Sequence, residues 1–291
     1  MAQEVPSWVS GVLVLATVGG LLWLERRRPL RRRTQDKRRR DLRNLAVAGL
    51  SAAAISRFEK PVVQPLSRWV DRERRGLLKL LRLPVWLEVP LAVVLLDYTL
   101  YVWHVLTHKV GFLWRFHQVH HADLDMDFTT ATRFHFGEMI LSVPWRSAQV
   151  VLLGASPLSL TTWQLTTLLA ILFHHSDVEL PYGLERRLCR LIVTPRVHGI
   201  HHSVVRRETD SNWSTIFMWP DYLHGTDRLN VPQDEVTIGV PAFRDPEEVT
   251  LPRLVRMPFA AQPWPWTLPE SDLEPERRPE ALPAPVHSLA E

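Results

Sequence analysis

Phe-His-Gln-Val-His-His (116–121) sets three imidazoles at positions i, i+3 and i+4, and His-Gly-Ile-His-His (198–202) repeats that spacing about eighty residues later. His104-Val-Leu-Thr-His108 adds a pair at i and i+4, and His174-His175 an adjacent pair. Of 13 histidines in 291 residues, twelve fall between His104 and His224. A core is filled at lower cost by side chains that carry no polar nitrogen, so the crowding points to metal binding.

On a helix, i and i+4 put two rings on one face, one turn apart. The adjacent rings of His120-His121 and His201-His202 can reach two different centres. Counting one histidine of the 174–175 pair, nine imidazoles are available. That exceeds the three protein ligands of a catalytic zinc and the two axial ligands of a haem, whereas a pair of six-coordinate metals fits. Imidazole suits iron, copper, nickel and zinc alike. The single cysteine, Cys189, excludes an intrachain disulfide and thiolate clusters and is expected as core.

These rings need elements that bring them together. Residues 85–104 form a long apolar helix with Glu88 near its start and Asp97 inside it; an acid there is usually functional or paired. The apolar runs 139–155 and 159–173, separated by Ser156-Pro157, read as a helical hairpin. A hairpin returns the chain, so histidines before it (104–121) and after it (174–202) share one membrane face.

Residues 6–24 carry no charge and are long enough, at about 1.5 Å per residue, to cross most of a roughly 30 Å hydrocarbon layer. The positive charges follow the run, where a cleaved signal peptide would have them in front, so a retained anchor is expected. Residues 25–40 hold ten Lys or Arg against two acids, which keeps that end in the cytoplasm. No reading element for nucleic acid accompanies the run, and a lipid-headgroup contact is the expected role. Residues 44–56 either span or dip into the membrane. Residues 66–83 show the pattern of an amphipathic helix, either in the headgroup plane or packed on a core.

Eleven prolines in 241–291 exclude long helices and central strands there; a disordered tail is expected, with Trp264 and Trp266 near the interface. The expected organisation is an N-terminal anchor, basic linker and amphipathic helix over 1–84, a catalytic domain over 85–235, and a Pro-rich tail over 236–291. The fold class is all-α: a multi-pass integral-membrane helical bundle with a histidine-lined di-metal site on its cytoplasmic side.

The order HVLTH, LWRFHQVHH, LFHHSDVELP, TPRVHGIHHSVVRRETDSNWSTIF and LHGT resembles the integral-membrane fatty acid hydroxylase and sterol desaturase superfamily over about residues 93–230. The resemblance implies a non-haem di-iron site that uses O2 and two electrons to hydroxylate or desaturate a lipid. Carried over, the metal ligands are His104, His108, His117, His120, His121, His198, His201 and His202, with His175 a better match than His174 because Ser176-Asp177 follows it. His135 stands where relatives often have histidine before proline, here Phe136. His224 stands where they often have an aromatic residue, and His287 lies in the tail. Pro220 precedes Asp221 where relatives usually show Trp, yet Asn212 and Asp221 keep the family's distances from the last box.

Neutral imidazoles leave metal charge uncompensated, so acids are expected behind the ligands; Asp97, Glu138, Asp177 and Asp221 are candidates to accept the far N–H of a ligating ring, and Asn212 stands beside them. Leu96, Leu100, Trp163 and Phe173 are candidates to line the lipid path. No haem domain, flavin fingerprint or dinucleotide loop is present in the sequence, so electrons must come from outside, as from a cytochrome or ferredoxin. Two other readings compete: a membrane zinc hydrolase, for which neither HVLTH nor HGIHH supplies the glutamate of HExxH, and a non-enzymatic metal or haem carrier.

Overall fold

A computed structural model describes residues 4–261. These are helical, with isolated bridges and no strand among the described residues. Helix α1 (Ser7–Arg27) ends on Arg26 and Arg27, cations that suit the negative end of the helix dipole. Helix α2 (Lys37–Ala54), a π-helical turn (Ile55–Glu59) and α3 (Lys60–Arg72) run on from one another. A short α4 (Leu77–Leu80) leads to α5 (Val85–Lys109) and α6 (Gly111–His121). Helices α7 (Phe136–Leu153) and α8 (Pro157–His175) occupy the two apolar runs expected to pair as a hairpin, but each packs chiefly on other helices. Gly154, left-handed at φ 74°, ends α7, and Ser156 caps α8 by accepting the Ser159 N–H at 3.2 Å, as helix ends require. Short helices α9 (Tyr182–Leu188), α10 (Pro195–His201), α11 (Arg206–Thr209), α12 (Trp219–His224) and α13 (Leu251–Arg256) complete the chain.

Helices α1 and α5 are long and apolar enough to cross a membrane. Helix α8 packs on both, and α7 packs on α2 and α3. The apolar core here is Val63, Val70, Leu96, Val150, Leu160 and Trp163.

Two expectations change. The helix expected over 66–83 is broken, because the chain reverses at Arg74 (φ 50°) and Gly76 (φ 91°). A Cβ on Gly76 would lie 2.3 Å from the backbone nitrogen of Gly154; this close approach is a long-range constraint that local spacing does not carry. The tail expected from 236 onward is packed through 258: Val240, Phe243, Val249, Leu254 and Met257 join Val47, Trp114 and Val119 in one apolar cluster. Its prolines occupy helix first turns, as at Pro246, Pro252 and Pro258, where a missing N–H costs nothing. Trp264, Trp266 and His287 lie outside the described residues.

The basic linker is tied to the segment after the second histidine box. Arg40, 3% exposed, donates to both carboxylate oxygens of Asp123 at 2.9 and 2.8 Å and to Asp127 at 2.7 Å. Arg133 stands 3.4 Å from Asp123, and Lys37 2.6 Å from Asp127. Thr34 and Gln35 donate their backbone N–H groups to Asp125. Burial alone would raise the Asp123 carboxyl, but the guanidinium groups of Arg40 and Arg133 outweigh it and hold it well below the usual carboxylate range. Such a group stabilises the fold above the unfolded-state value near 4, and that contribution is lost as the pH falls. Replacing Arg40 by Met removes the two-oxygen partner of Asp123 and one partner of Asp127, leaving Arg133 and Lys37 as cations beside them, so a loss of about 3 kcal/mol is expected at pH 7. The gap to wild type should narrow as the pH is taken from 7 to 4, because the less compensated acids then protonate more readily; denaturant unfolding at both pH values checks this.

Candidate metal centre

Helix α5 delivers His104 and His108 from its last turns, α6 delivers His117, His120 and His121, and α10 delivers His198, His201 and His202 at its end. Helix α8 adds His175. Their ring nitrogens gather into two groups. His104, His108, His117, His121 and His201 form one, and His120, His175, His198 and His202 the other; within each group one nitrogen per ring lies within 4.8 Å of all the rest. The groups adjoin, with the His121 and His202 rings stacked at 4.3 Å.

Hydrogen bonds fix which nitrogen of several rings faces inward. The Nδ1–H of His104 donates to the carbonyl of Trp213 at 2.8 Å, that of His201 to Ser211 at 2.7 Å, and that of His175 to Ile171 at 2.8 Å. A carbonyl can only accept, so each neutral ring turns a lone pair inward at Nε2. The Nε2 atoms of His104 and His201 are 3.1 Å apart. His175 Nε2 is likewise 3.1 Å from Nε2 of both His120 and His198. Burial pushes His120, His121, His198 and His202 well below the ordinary imidazole value, and His201 down to about 3, so these rings are neutral at pH 7. Both ring nitrogens of His108, His121 and His202 are buried without a hydrogen-bond partner. Facing lone pairs and orphaned buried nitrogens of this kind fit cations bound among them.

The remaining histidines stand apart. His174 donates Nδ1–H to Thr215 O at 3.0 Å and belongs to neither group, although its ring lies 4.0 Å from that of His198. His135 caps α7 by accepting the Gly137 N–H at Nδ1, and its Nε2–H donates to Val255 O. His224 stacks on Tyr101 and meets the Tyr98 hydroxyl.

Of the polar residues expected behind the rings, Glu138 alone meets one of the nine, accepting from His117 Nδ1 at 3.0 Å. Asp97, Asp177, Asn212 and Asp221 make their hydrogen bonds to other groups. Asp97 accepts the backbone N–H groups of Ile216 and Phe217 at 3.2 and 3.1 Å. Asp221 accepts those of Trp213 and Ser214 at 3.1 and 2.9 Å and the Thr226 hydroxyl at 2.6 Å. Asn212, left-handed at φ 53°, bridges Val197 O and Arg228 O with its amide. Asp177 accepts the Arg31 N–H at 2.9 Å. The two aspartates therefore act one step removed: they clamp the N–H side of segment 211–217, whose carbonyls at 211, 213 and 215 take the Nδ1–H of His201, His104 and His174. Sequence reasoning missed these carbonyls, which no side chain announces. It also missed Asp123, Asp125 and Asp127, whose alternation after the second box, facing the run RRRTQDKRRR, was a readable signal of charge pairing.

A cavity of about 490 Å³ opens on the rings. His104, His117, His120, His175 and His198 line one end, and Leu100, Trp103, Phe134 and Trp163 line its walls. Leu100 and Trp163 thus stand where expected. Leu96 is instead fully buried core, and Phe173 packs beside Leu21 and Val178.

The clamp on 211–217 generates an exchange prediction. Asp221→Ala removes the acceptor for two amides, so the Trp213 and Ser214 N–H groups should exchange with deuterium at least about tenfold faster, with a stability loss of about 2 kcal/mol. Unchanged protection at those two amides would show that the segment is held by other means.

Residues 89–226 match the family model described as fatty acid hydroxylase. Ornithine lipid hydroxylase OlsE of Rhizobium tropici is 32% identical over 145 residues, covering 49% of this chain and 42% of that protein. Cholesterol 25-hydroxylase-like protein of Danio rerio is 30% identical over 146 residues, 49% of this chain and 55% of that one. Cholesterol 25-hydroxylase of Mus musculus is 28% identical over 142 residues, 48% and 46% of the two chains. The chain thus spans about half the length of these relatives, and no solved structure matches it. The matched segment runs from within α5 through α12 and contains all nine converging histidines, and over this segment the chain is similar to the fatty acid hydroxylase family.

Proposed function

We propose that this protein is a membrane-bound lipid hydroxylase whose nine converging histidines hold two iron ions. The carrying observation is the double nitrogen cluster: five rings in one group and four in the other, with lone pairs turned inward by Nδ1–H bonds to carbonyls. His104, His108, His117, His121 and His201 would hold one ion, and His120, His175, His198 and His202 the other. Groups of four and five imidazoles exceed the three protein ligands of a catalytic zinc. The iron pair, when bound, supplies the activation of O2 that no side chain here can perform.

The chain's own residues supply position and dryness. Segment 211–217 holds His104 and His201, and Glu138 accepts from His117 and raises its basicity. The cavity walls hold the C–H bond of a lipid against the nitrogen clusters and exclude water. The overall conversion takes R–H, O2, two electrons and two protons to R–OH and water. The electrons are assigned to an external donor of cytochrome or ferredoxin type. Hydroxylation is favoured over desaturation because the relatives named above are hydroxylases of an ornithine lipid and of cholesterol.

The membrane reading rests on α1 and α5 and on large apolar side chains left exposed, including Trp8, Leu15, Trp23, Leu45 and Trp86. The basic linker supports a cytoplasmic site. Arg31, just beyond α1, donates to Pro195 O and Gln233, and Arg40 is buried against Asp123. The run that stays inside by its charge therefore packs directly against the histidine segments.

Purified protein is expected to carry two iron ions per chain and to incorporate one atom of ¹⁸O2 into an extracted lipid. His108→Ala and His202→Ala should each lose iron and activity, whereas His135→Asn should keep iron. Glu138→Gln should weaken iron binding by roughly 10- to 100-fold. Absence of both iron and label in the wild type would defeat the proposal.

A further inference from the structure

Besides Glu138 at the rings, the cavity is lined by three charged side chains: Glu59, the exposed Lys60, and Arg146. Glu59 ends the π-helical turn, is 6% exposed and lines the cavity beside Ile55 and Lys60. Single π-helical turns recur at functional sites because the extra residue re-aims a side chain. Arg146, on α7, lies over the Trp163 ring at 4.4 Å and touches Gln149 at 3.2 Å, and its Nε is buried without a partner. Glu59 and Arg146 bear on each other electrostatically, but neither makes an ion pair within 4.0 Å among the described residues. Thr167, on the same wall, has a buried hydroxyl without a partner. The Arg146 backbone lies eight residues from Glu138, about 12 Å along the axis of α7, so the charges sit well removed from the rings.

An ionisable group at this depth is costly and usually marks a substrate path, and an uncompensated buried charge is strongly destabilising. A neutral sterol would leave Glu59 and Arg146 to offset each other only across the cavity, with no ionic contact to either. A free fatty acid would satisfy Arg146 and be repelled by Glu59. We infer that the cavity takes a lipid with a zwitterionic polar group, its anionic part on Arg146 and its ammonium on Glu59, with its apolar chain extended toward the histidines. This deepens the lipid-hydroxylase reading and rests on it for the identity of the cavity. Carboxylate and phosphate present the same charge to Arg146, so an amino-acid lipid and a phospholipid both satisfy the chemistry.

Equilibrium binding to the full chain in lipid nanodiscs tests this with four probes: an N-acyl amino-acid lipid bearing free ammonium and carboxylate, phosphatidylethanolamine, cholesterol and oleate. The expected result is that one or both zwitterions bind at least about tenfold tighter than cholesterol and oleate, the size of one charge-assisted hydrogen bond, and the stronger of the two identifies the source. Arg146→Gln and Glu59→Gln should each erase that preference with iron content unchanged, while Arg146→Lys retains it. If Arg146→Gln does not fold, Glu59→Gln and Arg146→Lys still decide. Equal binding of cholesterol and the zwitterions by the wild type, or a preference that survives Glu59→Gln, would overturn the inference. Zwitterion preference without ¹⁸O incorporation would leave it standing and remove the oxygenase reading; label entering cholesterol without zwitterion preference would do the reverse.

Discussion

Two imidazole nitrogens that both present lone pairs cannot bond to each other. His104 and His201 meet in that way at 3.1 Å, with their only protons already committed to the carbonyls of Trp213 and Ser211. The rest of the site follows from keeping those protons on the outside. Segment 211–217 presents alternate carbonyls to the rings and must therefore turn its N–H groups the other way, where Asp97 and Asp221 receive them. Backbone amides in a buried segment need partners as much as side chains do. The carboxylates thus orient the rings through the backbone.

The nitrogen clusters were legible because spacing on a helix is a local property. His104 and His108, His117 and His121, and His198 and His202 share helix faces by sequence distance alone, and helices α7 and α8 were visible from their apolar runs. What joins them was not. Asp97, read as a partner for a histidine, binds two amides more than a hundred residues away, because buried N–H groups compete for a carboxylate as effectively as a ring does. Glu138, in the first turn of α7, is the one of these acids that meets a ring, that of His117. The break at Arg74–Gly76 depends on a backbone contact with Gly154, and the packing of Val240, Phe243 and Leu254 depends on a surface assembled by α2 and α6. Composition averages over such positions and sees only the prolines.

The cavity joins two chemical environments. At one end stand imidazole rings with Glu138 beside His117, elsewhere on its lining are Glu59 and Arg146, and Leu100, Phe134 and Trp163 add apolar walls. A molecule filling this space is fixed in direction by the difference between its ends, before any contact at the reacting bond is considered.

The tie between the basic linker and the histidine segments also constrains how the protein is made. Arg40 leaves the ribosome 83 residues ahead of Asp123, and Arg31 precedes its partners Pro195 and Gln233 by 164 and 202 residues. At roughly 5–20 residues per second, those guanidinium groups remain hydrated for several seconds or more while the intervening helices emerge. Closure of the buried charge cluster is therefore a late event in biogenesis, and the last histidine box can be locked only when nearly the whole described chain has been synthesised.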